Sequence, residues 1–142
     1  MSQGALYHDA IMRLAREATG AGQLDSPGAS VELDNPLCGD RVAVEVRVDA
    51  GRLVALAHRV RGCVLCQAAA SYLGRAAPGC DAAALTVGRA QLAALLAKGA
   101  PIPAGRWEGA SVFAPVAQAK SRHRCVLLPF EALAEALERG KG

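Results

Sequence analysis

The sequence predicts a single α+β domain: a three-stranded antiparallel sheet packed against helices. Three observations carry this expectation. Val42, Val44, Val46 and Val48 alternate with Ala43, Glu45 and Arg47, the period-two pattern of a strand buried on one side. Two more strand candidates flank it, residues 30–34 with Val31 and Leu33 on one face, and residues 53–60. The turn Asp49-Ala50-Gly51 joins the second and third as a hairpin, so the sheet is a meander. Beyond these strands the apolar spacing changes to that of helices, which must cover one face of the sheet.

Before the strands, Leu6 to Ala18 reads as an amphipathic helix with Leu6, Ala10, Ile11, Leu14 and Ala18 inward. The glycines of Thr19-Gly20-Ala21-Gly22 are the expected C-cap. After the strands, Cys63 to Ala76 is an alanine-rich helix ending before Pro78-Gly79. Thr86 is the expected cap of a helix running to about Ala97, stopped by Gly99 and Pro101. Residues 101–109 read as a loop holding the one tryptophan, and residues 111–120 as a helix interrupted by Pro115. The last helix runs from about Cys125 to Glu138 and places Leu128, Leu133 and Leu137 on a repeat. No linker or repeat divides the 142 residues, so one domain spans 1–142, with 1–5 and 139–142 frayed.

Composition excludes several function classes. An apolar fraction of 52% with 20% charged residues describes a folded chain, not a disordered one. A net charge of +3 without basic runs interleaved by aromatics argues against a nucleic-acid surface. No stretch reaches the ~18 apolar residues of a membrane span, and no secretory signal is visible at the N-terminus, so a cytoplasmic protein is expected. Aromatics are only 4%, so the core should be thin and a metal would add stability. In the cytoplasm Cys38, Cys63, Cys66, Cys80 and Cys125 read as metal ligands or reactive thiols in preference to disulfides.

Cys38-Gly39-Asp40, just after Asn35-Pro36, reads either as an ordinary turn or as a thiol and a carboxylate folded onto one metal ion. Cys63 lies where the third strand gives way to a helix, and Cys125 at or near the start of the last one. Because a hairpin returns the chain to its origin, Cys63 should come back near Cys38. Three thiolates and Asp40 would then suit tetrahedral zinc, with Zn–S about 2.3 Å. Cys66 completes a C-x-x-C pair with Cys63, either as a buried helix residue or as a further ligand, resolving thiol or redox partner. Cys80 reads as a loop thiol without a special role. Arg41, Arg59, Arg61, Arg122 and Arg124 crowd the same region, either as solvated side chains or as a cationic rim guiding an acidic partner. His123 is a ligand, a proton carrier or a half-exposed spectator; His8 and His58 carry no assignment.

Three pieces taken together, Asn35-Pro36 followed by Cys38-Gly39-Asp40, Gly62-Cys63 ahead of a small-residue helix with Ser71, and Arg122 with Cys125 before a leucine-rich helix, resemble the SufU-like branch of the NifU/IscU iron–sulfur cluster assembly scaffold family. The resemblance covers about residues 6–137. Two details point to that branch: a long insertion between Cys63 and Cys125, and a basic Arg124 before the last cysteine where IscU-like proteins have histidine. It implies a SufE/NifU-like fold with a metal site at one end, zinc on Cys38, Asp40, Cys63 and Cys125, and Arg122 beside the metal. It also implies a zinc-dependent sulfurtransferase in which Cys38 accepts persulfide sulfur from a PLP-dependent, SufS-like cysteine desulfurase. A downstream iron–sulfur scaffold would receive that sulfur. The alternative is a scaffold that assembles and passes on a transient [2Fe–2S] cluster on the same ligands. The chain departs from the family in Glu17-Ala18-Thr19-Gly20, which lacks a Pro-Arg-Asn segment, in Phe130 where tryptophan is usual, and in its extra thiols Cys66 and Cys80.

Overall fold

The structure, a computed structural model, describes residues 9–37 and 39–140. Helix α1 spans Asp9–Glu17, strands β1, β2 and β3 span Ala29–Asn35, Asp40–Asp49 and Arg52–Arg61, and helices α2, α3 and α4 span Val64–Ala76, Ala82–Lys98 and His123–Gly140. Two 3₁₀ segments, Glu108–Gln118 and Lys120–Arg122, lead into α4. The three strands form one antiparallel sheet in the order β1-β2-β3, the expected meander. Cys38, the proposed start of the first helix at residues 6–8, and the frayed ends at 1–5 and 141–142 lie outside the described residues. At the other margin α4 continues through Arg139, whose guanidinium donates to the Ser30 carbonyl at 3.3 Å, and on to Gly140, two positions expected to fray.

The valine alternation does in the sheet what its period requires. Val42, Val44 and Val46 are buried, with Val42 opposite Leu33 and Val44 opposite Val31 in the β1–β2 register. At the β2–β3 turn, Ala50 and Gly51 have φ of 54° and 78°, the left-handed pair that lets a two-residue hairpin follow the strand twist. Helix α4 packs across β1 and β2, and α2 packs between it and α1. Among the described residues the aromatics are pooled: Tyr72 lies against Phe113 and Phe130, and Phe130 against Trp107, with ring centroids 6.0–6.4 Å apart in these three pairs. Packing these large rings together compensates for an alanine-rich core. Gly88 leaves room for the indole of Trp107, whose Nε1 donates to the Ala84 carbonyl at 3.0 Å.

Three local expectations are corrected. Helix α3 starts at Ala82 and not at Thr86: the Asp81 carboxylate accepts from the Ala84 amide at 2.8 Å. Thr86 is inside the helix, and its hydroxyl donates to the Ala82 carbonyl. Aspartate in an extended conformation just ahead of the helix offers a better acceptor geometry than a threonine one turn in. Helix α1 ends on Ala18, not a glycine, in the left-handed conformation (φ 47°), because the following turn is held from outside. The Thr19 amide donates to Ser71 Oγ at 3.0 Å, and the Thr19 carbonyl meets His58 Nε2 at 2.8 Å. Pro115 does not interrupt its segment, since Ala110, Phe113 and Val116 are buried at a spacing of three, the repeat of a 3₁₀ helix that proline's φ suits. The break falls at Ala119.

Candidate metal centre

Residues Asn35 and Asp40 are the last register pair of β1 and β2, so residues 36–39 form a four-residue loop. Asparagine before proline favours a turn because its side chain can replace a backbone acceptor. Here Asn35 Oδ1 accepts from the Leu37 amide at 3.2 Å, and the Asn35 carbonyl accepts from the Gly39 amide at 2.8 Å. Gly39 takes φ of 76°, a conformation that costs glycine little, and turns the chain into Asp40.

Asp40 is 2% exposed, an unusual burial for a carboxylate. Strand β3 returns alongside β2 with Arg61 opposite Arg41, which brings Gly62 and Cys63 to the Asp40 side chain. The Cys63 amide donates to Asp40 Oδ1 at 3.1 Å. A Cβ on Gly62 would overlap this carboxylate, so the glycine makes the approach possible. Cys63 is the N-cap of α2, yet its side chain makes no capping hydrogen bond, which leaves the sulfur for another partner. Helix α2 has no acidic residue in its first turn, so no carboxylate of its own offsets its N-terminal dipole. Cys125, fully buried, arrives from the first turn of α4.

The ligand atoms of Asp40, Cys63 and Cys125 all lie within 4.8 Å of one another. Two sulfurs and one carboxylate oxygen on a common ion, with bonds near 2.3 and 2.1 Å, would be separated by about 3.5–3.8 Å in tetrahedral geometry. The donor types therefore suit zinc or an iron–sulfur cluster, their spacing is compatible with a shared ion, and Cys38 sits two residues from Asp40. Covalent geometry alone keeps the Cα atoms of Cys38 and Asp40 within about 7 Å.

The remaining expected site residues are distributed differently. Cys66 is fully buried on the core side of α2 and is not part of the group of three. Cys80 is also buried, at 1% exposure, and burial pushes its thiol pKa up. Arg124 pairs with Glu131 at 3.1 Å, and Arg89 reaches the same carboxylate at 3.0 Å. Arg122 is half-buried at the end of the short 3₁₀ turn that leads into α4. His123 Nε2 meets the Ala117 carbonyl at 3.1 Å, a structural contact. Sequence reasoning overlooked Gly62 and the side chain of Asn35; the Asn-Pro and Gly-Cys dipeptides were the available signals. It also gave His58 no role, although this buried imidazole ties the turn after α1 to β3.

Comparison with known proteins identifies the family and the fold. Residues 6–136 match the NifU-like N terminal domain family. The chain is 32% identical over 119 residues to the iron-sulfur cluster assembly scaffold protein IscU of Streptococcus pyogenes serotype M1, covering 83% of this chain and 74% of that protein. Its fold superimposes on a nitrogen-fixing NifU-like protein (N-terminal) from Brucella abortus with a TM-score of 0.91 and 31% identity, over 97% of this chain and 96% of that one. FiSufU from Fervidobacterium islandicum AW-1 shares the fold at a TM-score of 0.83 and 21% identity, over 96% and 99% of the two chains. Among the described residues no helix is long and apolar enough to cross a membrane. The chain belongs to the NifU/IscU family of iron–sulfur cluster assembly scaffold proteins.

Proposed function

We propose that this protein is a zinc-dependent sulfurtransferase that accepts persulfide sulfur from a PLP-dependent, SufS-like cysteine desulfurase and passes it to a downstream iron–sulfur scaffold. The observation that carries the reading is the Asp40–Cys63–Cys125 triangle with a fourth donor, Cys38, on the adjoining four-residue loop. Asp40 is buried and holds the Cys63 amide, so it is the fixed ligand. Cys63 and Cys125 are anchored at helix starts. Cys38 belongs to the loop and is the ligand that exchanges.

Zinc, when bound, supplies a divalent charge that keeps the cysteine ligands as thiolates. The chain's own chemistry is a sulfur exchange. The Cys38 thiolate attacks the outer sulfur of the donor's persulfide, a new S–S bond forms on Cys38, and the donor's S–S bond breaks. The donor cysteine leaves as a thiolate, so no net oxidation occurs.

The test is desulfurase turnover with and without the zinc-loaded protein. Stimulation that is lost in Cys38→Ala is expected; full stimulation by that variant refutes the assignment. The second reading, a [2Fe–2S] scaffold on the same donors, is supported by the relative named as the scaffold protein IscU. Metal analysis separates the two, since the scaffold reading expects iron in preference to zinc and visible absorbance after reconstitution.

A further inference from the structure

The loop that carries Cys38 also holds Leu37, which is 95% exposed, the most exposed large apolar side chain among the described residues. The loop backbone on either side is tied to one residue: the Leu37 amide donates to Asn35 Oδ1, and the Gly39 amide closes the turn on the Asn35 carbonyl. Beside this apolar tip, β2 and β3 place Arg41 directly opposite Arg61, and Arg59 opposite Ala43, on the exposed side of the sheet. Like charges facing each other across strands are destabilising. Asp34 offsets Arg41 at 2.8 Å, but among the described residues neither Arg59 nor Arg61 has an ion-pair partner. Two shallow hollows, of about 260 and 300 Å³, run from Pro36 past Arg61 to Arg59 and Val60. Fold stability explains neither the exposed leucine nor the facing arginines.

We propose that Leu37, flanked by Arg59 and Arg61, is the docking face for the protein that delivers the sulfur: Leu37 enters an apolar socket next to the donor's persulfide, and the two arginines meet carboxylates on its rim. This rests on the sulfur-acceptor reading. The placement argues for one occupant: whatever hands sulfur to Cys38 must approach the loop tip, and the residues there select a surface that is acidic around an apolar centre. Leu37 fixes the position, and the arginines speed and orient the encounter.

The experiment measures binding of the zinc-loaded protein to the PLP-loaded desulfurase of the same organism, by calorimetry at low and physiological salt. Leu37→Ser is expected to raise Kd at least about tenfold at both salt concentrations, as for a central anchor. The double variant Arg59→Glu/Arg61→Glu is expected to bind more weakly and to lose or invert the weakening by salt seen in the wild type. Zinc content of both variants should match the wild type, because these side chains are exposed. Cys38→Ala keeps the docking face and should bind while failing to accept sulfur. Wild-type affinity in both surface variants overturns the docking face and leaves the sulfur-acceptor reading standing. A Cys38→Ala protein that accepts sulfur overturns that reading while the binding data still judge the surface. Concentration-dependent self-association abolished by Leu37→Ser would assign the leucine to a second copy of this chain and overturn the proposal.

Discussion

Gly62→Ala tests the centre through a residue that offers no ligand. The added Cβ would lie 2.9 Å from Asp40 Cγ and 3.1 Å from Asp40 Cβ, besides overlapping Oδ1. Rotating the carboxylate would relieve the last of these but not the contact with Cβ, which follows the β2 backbone. That backbone is held in register between Asn35 and the β3 return, so Asp40 must swing away from the Cys63 amide and from both sulfurs. Losing a hydrogen bond to a buried carboxylate costs about 1.5–3 kcal/mol. If the same displacement spoils one metal bond by a similar amount, zinc affinity falls roughly 10- to 100-fold, at 1.4 kcal/mol per decade. The assay is competition for zinc against a chromophoric chelator, with thermal melting of metal-free and zinc-loaded protein alongside. The metal-free variant should melt only a few degrees lower, whereas the zinc-induced rise in Tm should shrink sharply. Wild-type zinc affinity in Gly62→Ala would refute the claim that the glycine lets Asp40 reach the cysteines.

Two further outcomes follow from the fold. Asp81→Ala removes the N-cap of α3 and should cost about 0.5–2 kcal/mol by calorimetry, whereas Thr86→Ala should be neutral or gain a few tenths of a kcal/mol; the reverse ranking would return the cap to Thr86. His58 has its pKa lowered from the usual 6.5, chiefly by burial, with the Thr19 hydrogen bond opposing. Because the unfolded chain then binds the proton more readily, His58 contributes to a loss of stability as pH falls through about 6.5. Urea melts of metal-free protein between about pH 7.5 and 5.5 should show this fall, and it should be flatter in His58→Gln.

The two halves of the centre were not equally legible. Proximity of Asp40 and Cys63 was readable from local rules: valine alternation defines two strands, a two-residue turn joins them, and an antiparallel return must bring the end of one to the start of the other. Cys125 obeys no such rule, because a helix start can lie anywhere the core permits. The same holds for Cys66, whose spacing from Cys63 allowed either a buried helix residue or a further ligand; packing places it in the core. Local energetics misled at α1 and α3, where glycine and threonine were the favoured cap residues. At α1, contacts from Ser71 and His58 stabilise a turn that makes Ala18 adopt the left-handed conformation; at α3, Asp81 provides the better-placed acceptor.

By itself, then, the sequence determined the three-stranded meander, the helical regions and the types of donor available for a metal. Strand period, turn chemistry and residue type are local properties and survive without a folded context. Only the tertiary structure decided which other donors join Asp40 and Cys63. Packing α2 and α4 against one sheet buries Cys125 within reach of Asp40 and Cys63, buries Cys66 apart from them, and gives Arg124 to Glu131. Those outcomes depend on contacts between residues distant in the chain, where burial of apolar surface and the pairing of buried polar groups outweigh any local preference.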